Sequence, residues 1–204
     1  MKPELAVVPT IEFVAVLAAA FSGFAEARKK RMDPVGVFTV AFITAFGGGT
    51  LRDLLLDRRP FFWVQHVEYV VLILVLTLVA APLLRLAHRV VPETAFVLAD
   101  AVGLGFFSIA GTTVSLAAGM PWVVAAMFGV VTGVCGGLLR DVILNEVPLV
   151  LRDGKPYALA SFAGCWLYLL LNQAAAPEPL TLWGSAALIV VMRMIAWRAN
   201  WTIR

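Results

Sequence analysis

Two arginines, Arg52 and Arg140, each precede an aspartate, Asp53 and Asp141, inside stretches that are otherwise apolar. A charged side chain in such surroundings is expensive unless it is paired or hydrated. These positions therefore mark buried ion pairs or a water-filled path. Glycines stand just before each pair: Gly47, Gly48 and Gly49 in one case, Gly133, Gly136 and Gly137 in the other. Thr44 and Thr132 lie at equivalent places one turn earlier. A helix broken at glycines frees the carbonyls of its preceding turn, whose partial negative charge suits a cation. The chemistry on offer is thus ion coordination rather than bond making. The chain has no Ser/His/Asp arrangement, phosphate loop or dinucleotide fingerprint. Cys135 and Cys165 lack metal spacing, and His66 and His88 fall at the ends of apolar stretches. No enzyme activity, cofactor or metal site is expected.

The motif Gly48-Gly49-x-Leu51-Arg52-Asp53 recurs 88 positions later as Gly136-Gly137-x-Leu139-Arg140-Asp141. The register holds without a gap. Gly23 falls on Gly111, Leu56 on Leu144, Pro60 on Pro148, Tyr69 on Tyr157, and acidic Glu12 on acidic Asp100. The 204 residues are 61% hydrophobic and 14% charged, with a mean hydropathy of +0.91. Soluble domains carry roughly twice that charge. A bilayer crossing needs about 20 mostly apolar residues, and seven stretches qualify: 8–27, 34–57, 66–87, 95–116, 121–144, 157–173 and 180–197. The first, with Glu12 inside it and an internal counterpart, does not read as a signal peptide.

The expected fold is therefore an all-α membrane protein, a single transmembrane domain over 1–204. Repeat one covers about 8–87, repeat two about 95–173, and an extra helix about 180–197. Each repeat has three crossings, an odd number, so the second enters from the opposite side and the repeat is inverted. Of the 16 lysines and arginines, eleven fall on one side, three on the other and two within helices. The positive-inside rule then places the N-terminus outside and the C-terminus in the cytoplasm.

Depth suggests partners for the buried arginines. Glu12 matches Arg52 and Asp100 matches Arg140, although snorkelling to the headgroups is a second reading. Asp53 and Asp141, about 100° around the helix from their arginines, are expected to face another neighbour or a lumen. Ala41, Ala45 and Gly49 are spaced by four, as are Gly129, Gly133 and Gly137. Such ladders also serve close helix packing. The cluster Arg28-Lys29-Lys30-Arg31 is a topology signal or an anionic-lipid site.

The duplicated glycine–Leu-Arg-Asp motif, the three-plus-three-plus-one layout and the length together resemble the prokaryotic TRIC proteins, trimeric intracellular cation channels. The resemblance implies a homotrimer with one pore per protomer, permeable to potassium and other monovalent cations. It also implies that the second and fifth crossings are kinked at their glycines and line that pore. Thr44, Gly47, Gly48, Gly49, Asp53, Thr132, Gly133, Gly136, Gly137 and Asp141 are then the pore-lining candidates. Within the motif, Cys135 replaces the first glycine of the triplet. The expected partners are monovalent cations, membrane lipids and further copies of the chain in a bacterial inner membrane, with no nucleic acid. Relatives labelled glycine-transporter-like keep open a secondary transporter of a small solute such as an amino acid. An assembly protein without transport is a third reading.

Overall fold

A computed structural model describes residues 8–86, 91–152 and 156–201. The described residues form eight α-helices: α1 Val8–Lys29, α2 Pro34–Leu55, α3 Phe62–Gln65, α4 Val67–Leu86, α5 Glu93–Ala117, α6 Trp122–Ile143, α7 Tyr157–Gln173 and α8 Ser185–Arg198. A 3-10 turn occupies Leu149–Leu151, and a π turn, Leu180–Gly184, leads into α8. Among the described residues, α1, α2, α5, α6 and the Leu180–Arg198 segment are long and apolar enough to cross a membrane. α4 and the shorter α7 complete the layout of seven. Short α3 is an addition to the sequence reading, folded back beneath the end of α2.

Prolines set the helix starts. Pro34 opens α2, where its missing N–H is not needed, and the Asp33 carboxylate caps the turn by accepting from the Gly36 amide at 2.7 Å. Pro92, Pro121 and Pro156 precede α5, α6 and α7. The ends of α2 and α6 are built alike. Asp57 and Asn145 take left-handed φ angles of 51° and 55°, which Asp and Asn tolerate better than most residues. Beyond them Arg58 N donates to Asp53 O at 2.7 Å, and Glu146 N to Asp141 O at 2.9 Å. These are paired Schellman closures, and both turn the chain back toward the aspartates.

α1, α2, α5 and α6 form the centre. α1 packs on α2 and α5, and α6 packs on α5 and α2, so the pseudo-twofold axis runs between the repeats. α4 flanks α2, α7 flanks α6, and α8 lies on α5 and α7. The second repeat is shaped to receive α8. A Cβ at Gly105 would lie 2.9 Å from the Ala186 carbonyl oxygen, and one at Gly164 would strike the Ile189 side chain. The corresponding residues of the first repeat are Leu17 and Leu76, where no equivalent of α8 docks among the described residues.

One expectation is corrected here. α2 and α6 run through their glycines as uninterrupted α-helices, so no half-helix end presents free carbonyls. The glycines act by admitting a neighbour. A Cβ at Gly48 would collide with the Thr132 carbonyl oxygen, and one at Gly136 with the Thr44 carbonyl oxygen. This reciprocal pair lets the two backbones cross in contact, and it answers to the packing reading of the small-residue ladders. Gly23 and Gly111 repeat the device on the other axis. Their missing Cβ atoms make room for Thr44 and Thr132.

Candidate functional site

The crossing of α2 and α6 fixes where every polar group inside the bundle can sit. Arg52 is fully buried. Its Nη1 donates to Glu12 Oε1 at 3.1 Å, and its Nε to Asp53 Oδ1 at 2.9 Å. The Phe62 ring covers the guanidinium at 5.4 Å. Arg140 is built the same way, donating through Nη1 to Asp100 Oδ1 at 3.0 Å and through Nε to Asp141 Oδ1 at 2.8 Å. Phe96 lies 5.1 Å from its guanidinium. Pairing, not snorkelling, therefore holds both arginines, with Nη2 of each left without a hydrogen-bond partner among the described residues. Truncating one partner of such a pair strands the other charge.

Asp53 and Asp141 are turned to protein neighbours. Both are buried, and each holds the adjacent arginine with one oxygen. With Oδ2 each accepts a loop amide, Phe62 N at 2.8 Å and Leu149 N at 2.8 Å. The Schellman closures bring those amides back within reach, so the aspartates tie the returning loops to the helices. Of the two readings, another neighbour or a lumen, this geometry matches the first.

The two clusters differ in what surrounds them. Around Arg52, the half-exposed Arg58 adds a second cation, 3.7 Å from Asp53 Oδ1. Around Arg140, Ser22 Oγ accepts a hydrogen bond from Nη1 at 3.0 Å, and the Tyr157 hydroxyl donates to Asp100 Oδ2 at 2.9 Å. Arg193 of α8 lies over the Tyr157 ring at 4.2 Å. The repeat-one counterpart, Tyr69, turns elsewhere. It donates to the Pro9 carbonyl at 3.1 Å and stacks on His66.

Between the α2–α6 crossing and the Arg140 cluster lies a narrow cavity of about 10 Å³, room for about one water. Ser22, Thr44, Asp100, Thr132, Gly133, Gly136, Gly137 and Tyr157 line it. The threonine hydroxyls donate within their own helices, Thr44 to the Val40 carbonyl and Thr132 to the Phe128 carbonyl, each at 2.6 Å. Only their oxygen lone pairs remain for a guest. Gly137 faces the cluster without crowding. A Cβ there would meet the Tyr157 hydroxyl at 3.6 Å and Asp100 Oδ1 at 3.7 Å. Gly47 and Gly49 lie away from the cavity, against Leu139 and the Phe62 ring.

The basic cluster after α1 is partly neutralised. Lys29 bonds Glu26 at 2.6 Å, and Lys30 bonds Glu146 across the repeats. Arg152 lies 3.5 Å from the same glutamate. The Lys30 ammonium holds the Glu146 carboxyl below the usual range. Arg28 and Arg31 have no carboxylate partner among the described residues. Lys2, His88, Arg89, Lys155 and Arg204 lie outside those residues.

Sequence reasoning missed Tyr157, Ser22 and Arg193 as members of the Arg140 cluster. For Tyr157 the signal was its match to Tyr69, and for Arg193 its place on the apolar helix α8. Ser22 has no polar counterpart, since Ala110 stands 88 positions on.

The fold and these clusters define an all-helical membrane protein built on an inverted three-helix repeat with an appended seventh crossing. A family model described as Glycine transporter matches twice, over residues 10–85 and 97–173, one match to each repeat. The chain belongs to that family, the TRIC proteins of the sequence resemblance. The inner membrane protein YadS of Escherichia coli K12 is 38% identical over 154 residues, 76% of this chain and 73% of its own. A membrane protein of Deinococcus radiodurans is 32% identical over 94% of this chain and 87% of its own. The trimeric intracellular cation channel orthologue from Rhodobacter sphaeroides superposes with a TM-score of 0.86 at 30% identity, covering 96% of this chain and 99% of that one. A second TRIC cation channel superposes at 0.83 with 29% identity. The family's solved members are channels, not enzymes.

Proposed function

We propose that this protein is a potassium-permeable cation channel, a homotrimer in the bacterial inner membrane with one pathway inside each protomer. The observation that carries the reading is the narrow polar cavity at the α2–α6 crossing, in a chain that superposes throughout on TRIC channels. The pathway follows the cavity past Thr44 and Thr132 toward Asp100 and Tyr157. Threonine oxygens and the Asp100 carboxylate favour a cation over an anion. One water's width excludes a hydrated ion, so the described conformation is read as closed, and opening must widen it. Too few oxygens converge to replace a full hydration shell, so the ion stays partly hydrated and selectivity among monovalent cations is modest. The charge distribution supports the N-terminus outside and the Arg140 cluster toward the cytoplasm. Arg28 and Arg31 supply an anionic-lipid contact at that surface.

Purified protein in planar bilayers under a potassium gradient tests this. Discrete current steps are expected, and they should vanish in Gly137→Leu, which adds bulk at a cavity-lining position where the Cβ itself meets no backbone. Saturable, ion-coupled solute uptake without steps would establish instead a secondary transporter of a small solute, the reading that the family model's description favours.

A further inference from the structure

The two repeats offer a tyrosine at equivalent places, but only the second puts it in the way. Tyr157 is buried and lines the narrow cavity, its hydroxyl bonded to Asp100. Tyr69 reaches the Pro9 carbonyl instead. What distinguishes Tyr157 is α8, which lies outside the repeat and docks where Gly105 and Gly164 make room. From α8, Arg193 comes to rest on the Tyr157 ring, 4.2 Å from its centre. Arg193 is 6% exposed, and its buried Nε and Nη1 have no hydrogen-bond partner among the described residues. The guanidinium is held instead by the face of the Tyr157 ring, a cation–π contact.

We propose that Tyr157 is the barrier that closes the pathway at the Arg140 cluster, and that Arg193 is its positioning residue. The proposal rests on the channel reading for its purpose but not for its geometry. In the closed state the ring is clamped, its face under Arg193 and its hydroxyl on Asp100. When the ring swings aside, the cavity beside Gly137 widens, and Asp100 keeps its bond from Arg140, so neither state strands it. The element has two discrete arrangements, which is what a gate requires. A clamp supplied from α8 makes the closure one-sided, although the repeat itself is symmetric.

The test reads the width of the cavity without requiring current. In full-length protein with Cys135→Ala and Cys165→Ala, Gly137→Cys places a thiol beside the Tyr157 hydroxyl. A water-soluble, positively charged thiosulfonate is then added to proteoliposomes. Tyr157→Phe is expected to raise the modification rate about ten-fold or more, the scale of losing one hydrogen bond to a charged group. Arg193→Gln should raise it similarly, and the double variant should do no more than the larger single. Arg193→Lys, which keeps a cation over the ring, should stay near the parent. In bilayers Tyr157→Phe and Arg193→Gln, without the added thiol, should raise open probability and leave unitary conductance unchanged, an effect that a merely structural residue would not have. Modification rates within two-fold of the parent in Tyr157→Phe would overturn the barrier, and that variant decides even if Arg193→Gln fails to fold. Faster modification in a protein that passes no current would keep the barrier and overturn the channel reading. Unchanged modification with parental current would do the reverse.

Discussion

Replacing Gly48 with alanine is the sharpest probe of how the bundle is held. The new Cβ would strike the Thr132 carbonyl oxygen with Gly136 N at 3.4 Å behind it. A backbone carbonyl inside α6 cannot rotate away as a side chain would, so α2 and α6 must separate. Overpacking of this kind costs about 1–3 kcal/mol. Alanine also favours a helix over glycine by about 1 kcal/mol, which partly hides the clash. Gly137→Ala serves as the reference, because its Cβ meets nothing closer than 3.6 Å. The propensity gain is common to both variants and cancels in their difference. What remains is the clash, about 1–3 kcal/mol, or roughly 2–12 °C in Tm at about 2–4 °C per kcal/mol for a chain of this size. Tm in a fixed detergent, followed by tryptophan fluorescence, measures it. Gly136→Ala, against the Thr44 carbonyl, should match Gly48→Ala. If Gly48→Ala melts no lower than Gly137→Ala, the close approach of the two helices is not what the glycines provide.

The remaining expectations follow from the charge clusters. Arg52→Gln should cost about 3–5 kcal/mol, because it strands buried carboxylates, and Glu12→Gln less, because Asp53 still pairs Arg52. The double variant should cost less than the sum, and additive Tm losses would count against coupling of the pair. Glutamine at Arg28 and Arg31 should weaken binding to anionic liposomes by about 1 kcal/mol per residue. The same change at Lys29 and Lys30, already paired with glutamates, should have less effect in the same flotation assay. Glu146 titrates below its ordinary value, so its pairing with Lys30 contributes at neutral pH and fades as pH falls through that lowered value. The Tm difference between wild type and Lys30→Gln should therefore persist above the ordinary carboxylate range and be lost as the pH falls through the lowered value. A difference that survives further acidification would show that the lysine acts through something other than the carboxylate.

Much of this protein is local chemistry repeated, and repetition is legible in a sequence. Hydropathy located the crossings because a bilayer accepts only apolar helices of a given length. The odd number of crossings per repeat gave inversion, and equal depth pointed Arg52 toward Glu12 and Arg140 toward Asp100. Depth is a coordinate along one helix axis, which residue counting supplies. Rotation about that axis and the distance between axes are not, and there tertiary structure decided. Glycine runs look alike whether they break a helix or admit a neighbour. Only the Thr132 and Thr44 carbonyls lying against Gly48 and Gly136 distinguish the two. The angle of Asp53 and Asp141 from the arginines left both a neighbour and a lumen open. The Schellman turns return the Phe62 and Leu149 amides to them, a consequence of two left-handed residues beyond the helix ends. The partnership of Arg193 with Tyr157 joins α8 to the first turn of α7. It depends on where a helix outside the repeat comes to rest, and no periodicity within the repeat records that.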